Sequence, residues 1–206
     1  MKTIPIWIAL LFLSFSAAGQ EFPAYKVKSD FYEKERVVSG LGLCVPIKVN
    51  GKKMLLTAGH IVRNEKGKDA DEILVDFPVG WIRCKIDKID MKMDLCLIEP
   101  RLSPSETVEM DKKDNEQKQE VVNPNFFAKM EMKVNDGVIL IKTQEGRWMA
   151  NIPDYGHGSS GSPIYTKNGK LCGLSVASYS EDGGKTMLFA IIVGRNEVKE
   201  FLQSEK

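Results

Sequence analysis

Three short motifs follow one another in a fixed order along this chain: Thr57-Ala58-Gly59-His60, then Asp94 ahead of Leu95-Cys96-Leu97-Ile98, then Gly156-His157-Gly158-Ser159-Ser160-Gly161-Ser162-Pro163. The last puts a serine inside a tight glycine turn, where its hydroxyl can project and neighbouring amides can converge. A serine hydroxyl is a weak nucleophile at neutral pH and needs a general base within hydrogen-bond reach, itself oriented by a third group. The chain has only two histidines, so the candidate bases are His60 and His157. His157 stands on the same turn as Ser160, and its ring would fold back over the amides that should receive an oxyanion. His60 follows the apolar run Leu55-Leu56 and projects from a strand end into a small-residue turn. Asp94 is a carboxylate immediately before a short run of strand composition, where it can meet the imidazole Nδ1 proton.

The order histidine, acid, serine discriminates between folds. An α/β-hydrolase runs nucleophile, acid, histidine, and no histidine follows Ser160; a subtilisin runs acid, histidine, serine, and would need His157 as its base. Only the two-barrel order survives. On these motifs, together with Asn168-Gly169-Lys170-Leu171-Cys172-Gly173-Leu174 and the tail through Phe189-Ala190-Ile191-Ile192, the chain resembles the trypsin-like (chymotrypsin-fold) serine peptidases. The likeness is nearer the HtrA and glutamyl-endopeptidase branches than trypsin, and no PDZ domain is expected. It extends from about residue 36 to the end, and 102–150 resembles nothing specific. Taken singly, each motif also fits a structural role: a glycine-serine linker, a strand-end histidine held by a carbonyl, an ordinary turn acid.

The resemblance implies an all-β fold of two six-stranded antiparallel barrels with a short C-terminal helix. Along the chain, 1–19 reads as a signal peptide, with Lys2, the apolar stretch Ile4 to Phe15, and Ser16-Ala17-Ala18-Gly19 as the cleavage site. That stretch is shorter than the ~20 residues a membrane-spanning helix needs. Residues 20–35 read as an irregular arm and 36–101 as the first barrel, in which the Asn50-Gly51 turn makes a hairpin that delivers His60. The polar run 102–121 is an exposed linker. The second barrel occupies 122–206, its first strand read near Ala128 to Val134, where charged and apolar residues alternate. A terminal helix is expected to be capped by Asn196, with Val198, Phe201 and Leu202 on one face.

Net charge is +1, from 29 basic and 28 acidic residues, which provides no field to recruit nucleic acid or an acidic membrane. Two separated histidines and no Cys-x-x-Cys pair argue against metal, and no cofactor is expected. Cys44, Cys84, Cys96 and Cys172 each sit in an apolar strand. Few or no disulfides are expected, although Cys84 and Cys96 could face each other across a pair centred near Asp90.

The expected chemistry is acyl transfer to water on a protein or peptide substrate by an exported, secreted or periplasmic monomer. Ser160 attacks, His60 relays the proton, Asp94 holds the imidazolium, and the amides of Gly158 and Ser160 form the oxyanion hole. Ser159 stands where trypsin-like zymogens use an aspartate, so activation by N-terminal insertion is not expected. In the resemblance Asp154 takes the floor of the substrate pocket, Ala177 and Ser178 the opposing wall, and His157 the rim or an exposed turn. A binding module with a dead site (a pseudoprotease) and an esterase stay open as alternatives.

Overall fold

The Asn50-Gly51 pair behaves as its chemistry requires. Both residues take positive φ, 48° and 81°, the left-handed conformation a two-residue hairpin needs, and they join β2 (Arg36–Val49) to β3 (Lys52–Ala58) with Val49 opposite Lys52. The structure is a computed structural model that describes residues 22–34, 36–127, 131–180 and 189–204. The signal peptide expected over 1–19 and part of the strand expected over 128–134 lie outside the described residues.

Strands β1 (Tyr25–Glu33), β2, β3, β4 (Glu72–Phe77), β5 (Gly80–Asp90) and β6 (Leu95–Pro100) close a first antiparallel barrel in the order β1-β2-β3-β6-β5-β4. A one-turn helix, α1 (Gly59–Val62), leaves β3 and carries His60. Strands β7 (Glu120–Phe127), β8 (Glu131–Lys142), β9 (Trp148–Asn151), β10 (Pro163–Thr166), β11 (Leu171–Tyr179) and β12 (Phe189–Gly194) close a second, in the order β10-β11-β12-β9-β8-β7. Helix α2 (Arg195–Gln203) follows. The buried core runs from the first barrel (Val45, Leu56, Ile98) into second-barrel residues Tyr165, Leu174 and Phe201, and a smaller cluster around Ile139, Ala150 and Ile192 fills the second barrel. The two barrels therefore share apolar packing.

Four expectations are corrected here. Residues 25–33, read as part of an irregular arm, are β1, paired along their length with β2 and, over Lys26–Asp30, with β4. The second barrel begins at β7, whose Asn123, Pro124 and Asn125 look like loop chemistry but lie in a ladder opposite β8. The α2 cap is Gly194, and Asn196 sits inside the first turn, where its Oδ1 accepts from Arg195. Val198 and Phe201 are buried as expected. Finally, the β5–β6 register places Cys84 opposite Pro100 and Cys96 opposite Ile89, so those two thiols do not face each other.

All four cysteines are buried and unbridged. Burial raises the thiol pKa of Cys44 and Cys96, and pushes that of Cys172 up to about 12. The unfolded chain releases these protons at the ordinary thiol value near 8.5, whereas the native state keeps them. Stability is thus fully present below that pH and falls above it, by roughly 1–2 kcal/mol per buried thiol at pH 10. Denaturant midpoints at pH 7.5 and pH 10 check this: a Cys44→Ala/Cys172→Ala variant should lose less between the two pH values than the wild type. An equal loss would acquit the thiols.

Candidate active site

His60 is held by its own backbone as well as by its ring. Its N–H donates to Asp94 Oδ1 at 2.8 Å, and its Nδ1 lies 2.7 Å from Asp94 Oδ2. One carboxylate thus fixes both the helical turn and the orientation of the imidazole, leaving Nε2 as the free ring nitrogen. The Gly59 N–H donates to the Asp94 carbonyl at 3.0 Å. A side chain at Gly59 would meet Asp94 Oδ1 at 3.2 Å and Met91 Sδ at 3.1 Å, so the small residue before the histidine is what lets the acid approach. Asp94 itself has φ 56°, a left-handed conformation that aspartate tolerates.

The loop carrying Asp94 is tied down twice. Asp90 Oδ1 accepts from the N–H groups of Lys92 and Met93 at 2.8 and 3.0 Å. Arg147, from the second barrel, donates to the carbonyls of the same two residues at 3.0 and 2.9 Å. Neither residue is distinctive in sequence, and both were missed by the motif reading.

The serine turn docks against this assembly through glycines. Gly161 has φ 77°, and a Cβ there would lie 2.1 Å from the Leu43 carbonyl oxygen, 2.5 Å from Thr57 Oγ1 and 3.2 Å from the Ala58 nitrogen. The turn therefore rests on the strand that ends two residues before His60. The Leu43 N–H donates to the Ser160 carbonyl at 2.8 Å. At Gly42 a side chain would strike both Ile61 Cδ1 and the Ser160 carbonyl oxygen, at 2.3 and 2.5 Å, so Ser160 and the residue after His60 meet across one bare backbone. Gly40, on the same strand, makes room for the Ile61 carbonyl and the Ser29 hydroxyl that donates to it. Sequence periodicity gives no hint of these two glycines' role, because each reads simply as a weak strand residue.

Ser160 is half-buried, and its hydroxyl makes no hydrogen bond among the described residues. The amides of Gly158 and Ser160 likewise carry no backbone hydrogen bond there, whereas that of Ser159 between them donates to Gly156. Gly158 has φ 89°, which a side chain would resist. Behind the turn, buried amides form a chain: Asn135 donates to Asn125, Asn125 to Asn123, and Asn123 to Ser162 Oγ at 2.9 Å and to the Pro163 carbonyl at 2.8 Å. Asn123 and Asn125 are fully buried, and their mutual satisfaction explains why polar residues can occupy a core strand.

The residues expected around a substrate pocket lie at the surface of the serine turn and of β11. Asp154 is half-exposed, with its carboxylate 3.7 Å from Lys133, and His157, Ala177 and Ser178 are exposed. Tyr155, not singled out from sequence, is 4% exposed; its hydroxyl shares a hydrogen bond with Ser175 Oγ and donates to the Ala177 carbonyl at 3.2 Å. Burial pushes its pKa up to about 12, against the opposing pull of Ser175. On the other side of His60 an open groove of about 480 Å³ is lined by Phe31, Arg36, Val38, Ser39, Arg63 and Met91. Among the described residues no cluster of three or more His, Cys, Asp or Glu could hold a metal ion, and no helix is long and apolar enough to cross a membrane.

No protein-family model matches the chain, and no curated protein matches it. Solved structures do. The active form of the Rv3671c protease from M. tuberculosis superposes with a TM-score of 0.70 at 13% identity, over 92% of this chain and 85% of that one. Its inactive form gives 0.68 at 14%, over 90% of each. The HtrA-type protease AlgW with a decapeptide gives 0.70 at 17%, over 91% of this chain and 66% of that one. The chain has the trypsin-like serine protease fold.

Proposed function

We propose that the chain is an exported serine endopeptidase that cleaves peptide bonds through a Ser160 acyl-enzyme. The observation that carries this reading is the His60–Asp94 pair, fixed by two hydrogen bonds to one carboxylate, abutting a serine turn that glycines allow to press against it. Substrate binds with its scissile carbonyl carbon at Ser160 Oγ. His60 Nε2 takes the hydroxyl proton as the Oγ–C bond forms, Asp94 stabilises the resulting imidazolium, and the Gly158 and Ser160 amides receive the oxyanion. The proton then passes to the leaving amine, and water repeats the cycle on the ester. The groove beside His60, continued by the exposed Val37 and Leu41, is suited to the leaving-group side of an extended peptide. The apolar leader Ile4 to Phe15 supports export.

A second reading, a non-catalytic binding module, draws on the Ser160 hydroxyl, which makes no hydrogen bond to His60 among the described residues. In unliganded hydrolases such bonds commonly tighten only when substrate arrives. Digestion of an unfolded protein mixture separates the two readings: new termini should appear with the wild type and not with His60→Ala. A folded wild type that generates no new termini supports the binding module.

A further inference from the structure

The serine turn and β11 are stitched together at one point. The Gly161 N–H donates to the Ser175 carbonyl at 2.7 Å, and the Ser175 N–H to the Ser162 carbonyl at 2.9 Å. From that point the segments diverge: the turn runs back through Ser160 to Asp154, and β11 runs on to Tyr179. Beyond Leu174, the described pairings of β11 are with β12 alone, since β10 pairs with it only as far as Leu174. The outer half of β11, Ala177 to Tyr179, is exposed. The wedge between the two segments opens next to Ser160, the residue before the Gly161 amide that holds β11.

The wedge is already occupied. Tyr155, on the turn side, crosses it to reach Ser175 Oγ and the Ala177 carbonyl on the β11 side, and its ring is almost wholly buried. We propose that Tyr155 is the specificity-determining residue, closing the wedge so that only residues with small side chains, glycine, alanine or serine, can supply the scissile carbonyl. The assignment rests on the peptidase reading above. Because the ring is hydrogen-bonded at its far end and belongs to the same buried cluster as Ile164 and Ala190, it is a built wall of the second barrel. A large side chain would have to displace it and leave the Ser175 and Ala177 groups without their partner.

Labelling with irreversible phosphorus probes tests the assignment apart from the underlying chemistry. Aminoalkyl diphenyl phosphonates with an alanine-like or a phenylalanine-like side chain are compared with a plain fluorophosphonate that carries neither. In each, Ser160 Oγ bonds to phosphorus as phenoxide or fluoride leaves, and His60 takes the hydroxyl proton. Wild type should react with the alanine-like probe at least ~10-fold faster than with the phenylalanine-like one, the scale on which pocket size discriminates. Tyr155→Phe should keep that preference, and Tyr155→Ala should abolish or invert it. A tyrosine that only supports the core would lower stability in Tyr155→Ala and leave the ratio unmoved. Reaction with the plain probe, together with an equal or greater rate for the phenylalanine-like probe in wild type, overturns the pocket assignment and leaves the peptidase reading standing. No reaction with any probe on folded protein overturns both.

Discussion

Alanine at position 160 is expected to reduce kcat/KM for peptide cleavage by at least ~10⁵-fold, the scale seen when a triad nucleophile is removed, while the melting temperature stays at the wild-type value. The two halves of this expectation have separate causes. The Ser160 hydroxyl makes no hydrogen bond among the described residues, so removing it breaks none of those that hold the turn. Its carbonyl, which accepts from Leu43, is retained. The chemistry, by contrast, has no substitute on the serine turn: Ser159 is fully buried, as is Ser162, whose Oγ accepts from Asn123. Side-by-side turnover assays and thermal melts on wild type and Ser160→Ala check both halves. A variant that retained more than a hundredth of the activity would place the nucleophile elsewhere.

Gly161→Ala carries the largest expected effect on stability. Its Cβ would lie 2.1 Å from a backbone carbonyl oxygen and 2.5 Å from Thr57 Oγ1, which itself donates to that carbonyl at 2.6 Å. Neither neighbour can yield without moving β2 or β3 in the barrel wall, and φ at 77° adds its own cost. The loss should be roughly 3 kcal/mol or more. Gly67→Ala is the matched control: it has the same φ of 77° and nothing within 4 Å of its Cβ, so it should lose only about 1 kcal/mol from backbone strain. Denaturant titrations of the pair isolate the contact. Equal losses would mean that the serine turn is not pressed against the strand leading to His60.

The parts of this structure that were legible in the sequence are those where local chemistry is unambiguous. Asn50-Gly51 can hardly be anything but a tight hairpin turn, and the order His60, Asp94, Ser160 fits few topologies. Two strands escaped for a common reason. In β1 the buried positions include Ser29 and Asp30, and in β7 they include Asn123 and Asn125. A pattern search assumes that buried means apolar, whereas these side chains are buried because each has found a polar partner on another segment, Asn125 by accepting from Asn135. Partners of that kind are invisible until the chain is folded.

The site shows the same division. Residue types pointed to a candidate base, acid and nucleophile, but not to the backbone contacts around them. Gly40 and Gly42 matter only because α1 and the serine turn converge on β2 from different parts of the chain. Arg147 matters because it reaches from the second barrel to the carbonyls ahead of Asp94. The pocket was the least legible element. Spacing along the turn drew attention to Asp154, whose carboxylate lies near Lys133. Its neighbour Tyr155 turns inward to β11, and which of two adjacent residues turns inward depends on the turn's own dihedral angles, including the positive φ of 55° at Asp154.

The central claim is that Ser160 is a nucleophile activated by His60, and the most direct measurement is fluorophosphonate labelling of folded protein with mass mapping of the adduct. The account predicts a single adduct on Ser160, absent from Ser160→Ala and slowed at least ~10³-fold in His60→Ala, in which no base remains to take the proton. An adduct on any other residue, or an adduct on Ser160 that forms equally fast without His60, would contradict it.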